Sequence, residues 1–105
     1  MATIETLHEI ANSFSPDEQV EVGKWFGKPC LKSQKKVFLV LWGKDLAFKL
    51  TGEAHAKALG LPGARLFDPR GKGHAMKEWV QVDDADAGDV QELAQQAWAY
   101  AVEQS

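Results

Sequence analysis

The sequence predicts an α+β domain, an antiparallel sheet with helices on one of its faces. Three observations carry that expectation. Val37, Phe38, Leu39, Val40, Leu41 and Trp42 form an unbroken run of β-branched, aromatic and leucine side chains. After an interruption at Gly43-Lys44-Asp45, Leu46, Phe48 and Leu50 alternate with Ala47 and Lys49, the grammar of a hairpin in which Gly43 supplies a positive φ. Near the end of the chain Val90, Leu93, Ala94, Ala97, Trp98, Ala101 and Val102 recur at helical spacing as one apolar stripe. Consecutive strands joined by short turns must be antiparallel, because a parallel pair needs a crossover. Helices on one face then bury the apolar sides of both layers.

In chain order, Ile4, Leu7, Ala11 and Phe14 predict a first helix, with Thr3 as its N-cap and Glu5 and Glu9 outward. Ser15-Pro16-Asp17-Glu18 fits a helix start or a type I turn, and a turn or short helical turn is preferred because Val20, Val22 and Gly23 follow at once. Short strands are expected around 21–26 and 30–32, linked by Gly27-Lys28-Pro29 and followed by Ser33-Gln34-Lys35-Lys36. Thr51 can cap a short helix through Ala54, Ala58 and Leu59, which Gly60 at C′ and Pro62 should stop. Arg65-Leu66-Phe67 reads as a strand ended by Asp68-Pro69, Arg70-Gly71-Lys72-Gly73 as an exposed turn, and 76–82 as the last strand. The final helix is expected over 89–103, with Asp89 as cap and Glu92 three residues on.

A length of 105 residues predicts one domain with one modest core, and 45% apolar content excludes intrinsic disorder. No apolar run approaches the ~20 residues a membrane helix needs. The first residues lack a basic n-region and an apolar h-region, so no secretory signal is read. Cys30 is alone and cannot form an internal disulfide, which fits a cytoplasmic location.

Charge is segregated along the chain. All twelve Lys and Arg lie from Lys24 to Lys77, against only Asp45, Glu53 and Asp68, a balance of +9; the two flanks carry twelve carboxylates and no base, −12. A one-signed surface attracts and steers oppositely charged ligands, so an acidic partner, nucleic acid or protein, is expected. The acidic flanks and basic middle also allow self-association into a homo-oligomer.

Lys24-Trp25-Phe26-Gly27, the run from Lys36 to Trp42 with its hairpin into Leu46-Ala47-Phe48-Lys49-Leu50, and Pro62-Gly63-Ala64-Arg65-Leu66-Phe67-Asp68-Pro69 leading into Met76-Lys77-Glu78-Trp79-Val80 resemble the TfoX N-terminal domain family. His74, Met76, Lys77, Trp79 and Val80 partly echo a pattern of the related YjbR-like proteins. The resemblance implies a two-layer α/β sandwich with a bent antiparallel sheet, similar in outline to secretion chaperones. It also implies a regulatory or DNA-binding role without enzymatic activity. TfoX proteins usually carry a second, C-terminal domain, to which nothing in these residues corresponds.

Arg65, Arg70, Lys72, His74 and Lys77 crowd one glycine-containing loop, a candidate anion clamp in which Gly71 and Gly73 let backbone N–H groups approach a phosphate. The spacing is not that of a phosphate-binding P-loop. Of the four tryptophans, Trp98, Trp42 and Trp79 are expected in the core, whereas Trp25 and Phe26, beside Gly27 and Lys24, are candidates for aromatic contact with a base. Cys30 stands in no catalytic motif, and His8, His55 and His74 are scattered without metal-ligand spacing. Asp83, Asp84, Asp86 and Asp89 precede a helix whose dipole they complement, and they lack the spacing of a calcium loop. No metal or cofactor is therefore expected. The reading is a non-enzymatic binding or regulatory domain. The alternative is a small-molecule-binding protein or enzyme that holds an anionic ligand near Arg65, Arg70 and His74.

Overall fold

Reciprocal capping starts the first helix, α1 (Ile4–Asn12): the Thr6 amide donates to Thr3 Oγ1 at 3.3 Å and the Thr3 amide to Thr6 Oγ1 at 3.1 Å. The computed structural model describes residues 3–61, 63–68, 76–82 and 87–103, of 87–89 the backbone alone. A single 3-10 turn, Pro16–Glu18, follows α1 and is closed by the Glu18 carboxylate, which accepts from the Ser15 amide at 2.8 Å.

The strands are β1 (Val20–Trp25), β2 (Lys28–Ser33), β3 (Lys36–Trp42), β4 (Asp45–Lys49), β5 (Arg65–Phe67) and β6 (Met76–Val82). Every pairing is antiparallel, in the order β1-β2-β3-β4-β6-β5. Two-residue turns set the first three hairpins. Phe26 (φ 54°) with Gly27 (φ 73°) and Gln34 (φ 53°) with Lys35 (φ 70°) place both central residues in the left-handed region, the twist that tight hairpins favour. Gly43 turns the third with φ 64°, as its position in the sequence predicts.

Helices α1, α2 (Gly52–Leu59) and α3 (Ala87–Glu103) pack on one face of this sheet. Leu7, Phe38, Leu39, Phe48, Val80 and Leu93 are at the centre of the core between the layers. Trp98 packs against that core half-buried rather than enclosed, because its indole N–H reaches out to donate to the Glu18 carbonyl at 2.9 Å. The Ser33 hydroxyl donates to the same carbonyl, also at 2.9 Å, so one backbone oxygen ties the 3-10 turn to β2 and α3. Among the described residues no helix is long and apolar enough to cross a membrane.

The sheet curls away from the helices. Trp25 on β1 lies 4.7 Å, centroid to centroid, from Trp79 on β6, although those strands are four places apart in the sheet order. In a flat sheet at ~4.8 Å per strand they would stand ~19 Å apart. Two irregularities let the sheet bend. Leu31 pairs with Leu39 while Lys32 pairs with Val37, so Phe38 is an extra residue on β3, and the register shifts again between Leu66 and Phe67.

Three local expectations are corrected. Gly60 ends α2 with a right-handed φ of −78°, its amide turned back onto the last turn, and the left-handed glycine of this loop is Gly63 (φ 76°). Thr51 precedes α2 but its side chain makes no capping bond. Helix α3 starts at Ala87, which leaves Asp89 within its first turn instead of at the cap. The expected turn over 70–73 and the acids Asp83, Asp84 and Asp86 lie outside the described residues.

Candidate ligand-binding face of the sheet

A row of mostly small side chains crosses the concave face. Strand pairing aligns Gly23, Cys30, Val40, Ala47, Gln81 and Arg65 side by side across the whole sheet. With little bulk over the middle of the row, rings from its flanks can fold across it. Trp25 stacks on Trp79 with 26° between the planes, and Phe26 lies against Trp25 at 4.6 Å. Trp42 meets Phe67 edge-on at 5.1 Å and Phe26 edge-on at 6.2 Å. These are the tilted and edge-to-face arrangements that the ring quadrupole favours. Phe67 and Trp79 are buried, Trp25 and Trp42 half-buried, and Phe26 is 52% exposed.

Cations rim the cluster. The Lys28 ammonium sits 5.8 Å above the Trp42 ring, a cation–π distance. Lys32 crosses above Gly23, where a Cβ would approach its Cε to 2.9 Å, and reaches the Glu21 carboxylate at 3.9 Å. The absent side chain at Gly23 is what lets the lysine stem lie flat.

At one end of the row the face turns polar. Asp45 pairs across the hairpin with Trp42 and is buried. Its Oδ2 accepts from Arg65 Nη2 at 2.9 Å and from Gln81 Nε2 at 2.6 Å, while Arg65 Nη1 donates to the Gly63 carbonyl at 2.9 Å. Asp45 Oδ1 is buried with no hydrogen-bond partner among the described residues. The sequence reading missed Asp45, because Gly43-Lys44-Asp45 looks like a polar turn. Its alternation with Ala47 and Lys49 was the available signal, since it sets Asp45 on the face opposite Leu46 and Phe48.

The expected site residues separate. Trp25 and Phe26 are brought together, and Trp42, expected in the core, joins them half-buried because it belongs to the helix-free face. Of the proposed clamp, Arg65 is directed onto Asp45 opposite Gln81, whereas Lys77 is exposed beside the Phe67–Met76 end of the strand pair, so these two do not converge. The Lys77 carbonyl accepts from His55 Nε2 at 2.8 Å. Arg70, Lys72 and His74 lie outside the described residues. Cys30 is fully buried beneath the aromatic rings, and burial raises its thiol above the ordinary value against the smaller opposing pull of the Gly23 backbone and the Lys32 charge. A thiol held protonated is a poor nucleophile. Among the described residues no cluster of His, Cys, Asp and Glu is arranged to hold a metal ion.

The face therefore offers planar apolar surface, positive charge at its rim, and one buried carboxylate oxygen without a donor. Compared with protein-family models, with curated proteins and with solved structures, the chain matches none.

Proposed function

We propose that the chain is a non-enzymatic binding domain of the TfoX N-terminal type, and that its acidic partner is a single-stranded nucleic acid laid on the concave face of the sheet. The observation that carries this reading is the exposed Phe26, adjoining the half-buried Trp25 and Trp42, with the Lys28 ammonium over the Trp42 ring. Bases stack on such rings irrespective of sequence, and neighbouring ammonium groups neutralise the phosphates. The layering reduces an objection from charge. Glu5, Glu9, Glu92 and Glu103 are exposed on α1 and α3, which cover the opposite face, so these four acids stand away from the approaching backbone, and Glu21, which shares the face of Gly23, is paired with Lys32. The alternative, an anionic small molecule held near Arg65, Arg70 and His74, is disfavoured because Asp45 already neutralises Arg65.

A titration of the protein against labelled single- and double-stranded oligonucleotides tests the proposal. Single strands should bind at low salt and weaken steeply as salt rises, since each neutralised phosphate releases counterions. Phe26→Ala should cost about tenfold in affinity, within the range for one stacked base. An absence of binding at roughly tens of micromolar protein in low salt, the weak end of non-specific affinity, rejects it.

A further inference from the structure

We propose that Asp45, Arg65 and Gln81 form a base-reading pocket at the rim of the aromatic face, and that the base it takes is guanine; the inference rests on the single-strand reading above. It starts from the Asp45 carboxylate. The side chain is only 10% exposed, and one of its oxygens is served twice, by Arg65 and by Gln81, while Oδ1 is closed to water and receives no hydrogen bond from the described residues. A buried carboxylate oxygen without a donor is costly, and a ligand N–H that reaches it relieves that cost.

The surroundings define the ligand. Trp42, directly across the hairpin from Asp45, is half-buried, and the part of its ring not covered by Phe67, Phe26 and Lys28 offers a surface for a planar group to lie against. Arg65 is 54% exposed. It has one N–H bond to Asp45 and one to the Gly63 carbonyl, which leaves further guanidinium donors. The pocket thus sets a vacant acceptor and a cationic donor next to an aromatic plane. Its complement is a flat group whose edge carries N–H donors beside a carbonyl. Guanine is the one base with two adjacent donors, N1–H and the N2 amine, flanked by O6. The donors would face Oδ1, which has two lone pairs, and the carbonyl would face Arg65, the side chain that most often reads guanine. Because Oδ1 is closed to water, a base reaches it by displacing Arg65, whose side chain is 54% exposed and lies against the carboxylate, and exposed side chains change rotamer within nanoseconds.

The test uses short oligothymidylates carrying one central guanine, adenine, cytosine or hypoxanthine, with affinity measured by anisotropy at low salt. The guanine strand should bind about tenfold tighter than the others, the usual scale of one specific base contact. Hypoxanthine, which lacks only the N2 amine, should lose most of that gain. In Asp45→Asn, where an acceptor becomes partly a donor, the guanine-to-hypoxanthine ratio should fall to one. The hypoxanthine comparison on the unaltered protein needs no variant, so the inference stays testable even if Asp45→Asn folds poorly. Equal affinity for guanine and hypoxanthine overturns the pocket and leaves the binding face standing. If no oligonucleotide binds, the face and the pocket fall together.

Discussion

The Trp25–Trp79 stack makes the curl of the sheet measurable. The two rings belong to strands that a flat sheet would hold ~19 Å apart, so any direct coupling between them reports the bend. Trp79 is 5% exposed and Trp25 is half-buried. Trp79→Leu should cost about 2–3 kcal/mol from lost apolar burial and residual cavity. Trp25→Leu should cost roughly 1–2 kcal/mol, in proportion to its lesser burial. An aromatic pair in contact adds about 0.5–1.5 kcal/mol beyond its area. The double variant should therefore be more stable than the sum of the two losses implies, by about 1 kcal/mol. Leucine keeps part of the volume, and a domain stability of roughly 5–15 kcal/mol leaves the double variant folded. Urea titrations followed by far-UV circular dichroism avoid the change in tryptophan signal. A coupling under about 0.3 kcal/mol, the scatter expected for distant sites, would refute the curl.

Two further outcomes follow from backbone and burial. Lys35 turns the second hairpin at φ 70° with an exposed side chain. Lys35→Gly should raise stability by roughly 0.5–1 kcal/mol in a denaturant titration, because relief of the left-handed strain exceeds the added chain entropy; a loss would show that the turn is not strained. Alkaline pH should weaken the fold. Burial raises the Cys30 thiol, and the hydrogen bond to Glu78 raises the Tyr100 phenol, so the folded chain keeps both protons more tightly than the unfolded one. Stability is then constant below their ordinary values and falls as pH rises through the raised folded values. Cys30→Ala should flatten that decline between pH 8 and 10 in urea titrations, and an unchanged slope would remove Cys30 from the account.

The elements were legible because local pattern and tertiary role agree in them. The run from Val37 to Trp42 is strand in both readings, and the stripe from Val90 to Val102 faces the sheet as one helix. What the sequence hid depends on pairing across the sheet. The Gln34-Lys35 turn has neither glycine nor asparagine to announce its left-handed backbone, and Phe38 looks like any other strand residue although it is the bulge. Alternation separates Trp42 from Leu41 onto opposite faces, but only the curl shows that the face of Trp42 is a second, half-open aromatic core. Asp45 was hidden for the same reason, since its partners Arg65 and Gln81 are 20 and 36 residues away.

The Glu18 carbonyl, which receives Ser33 from β2 and Trp98 from α3, also sets an order of events during synthesis. Its bond to Trp98 spans 80 residues. At about 5–20 residues per second, a ribosome makes that partner some 4–16 s after Glu18. The hairpins of β1 to β4 need only local turns and form within microseconds. The nascent chain therefore holds a sheet whose helix-facing side is covered only by α1 and α2, and the part over β3 and β4, where α3 packs, stays open until the last helix is released. Over that interval the protein is most exposed to aggregation and most dependent on chaperones.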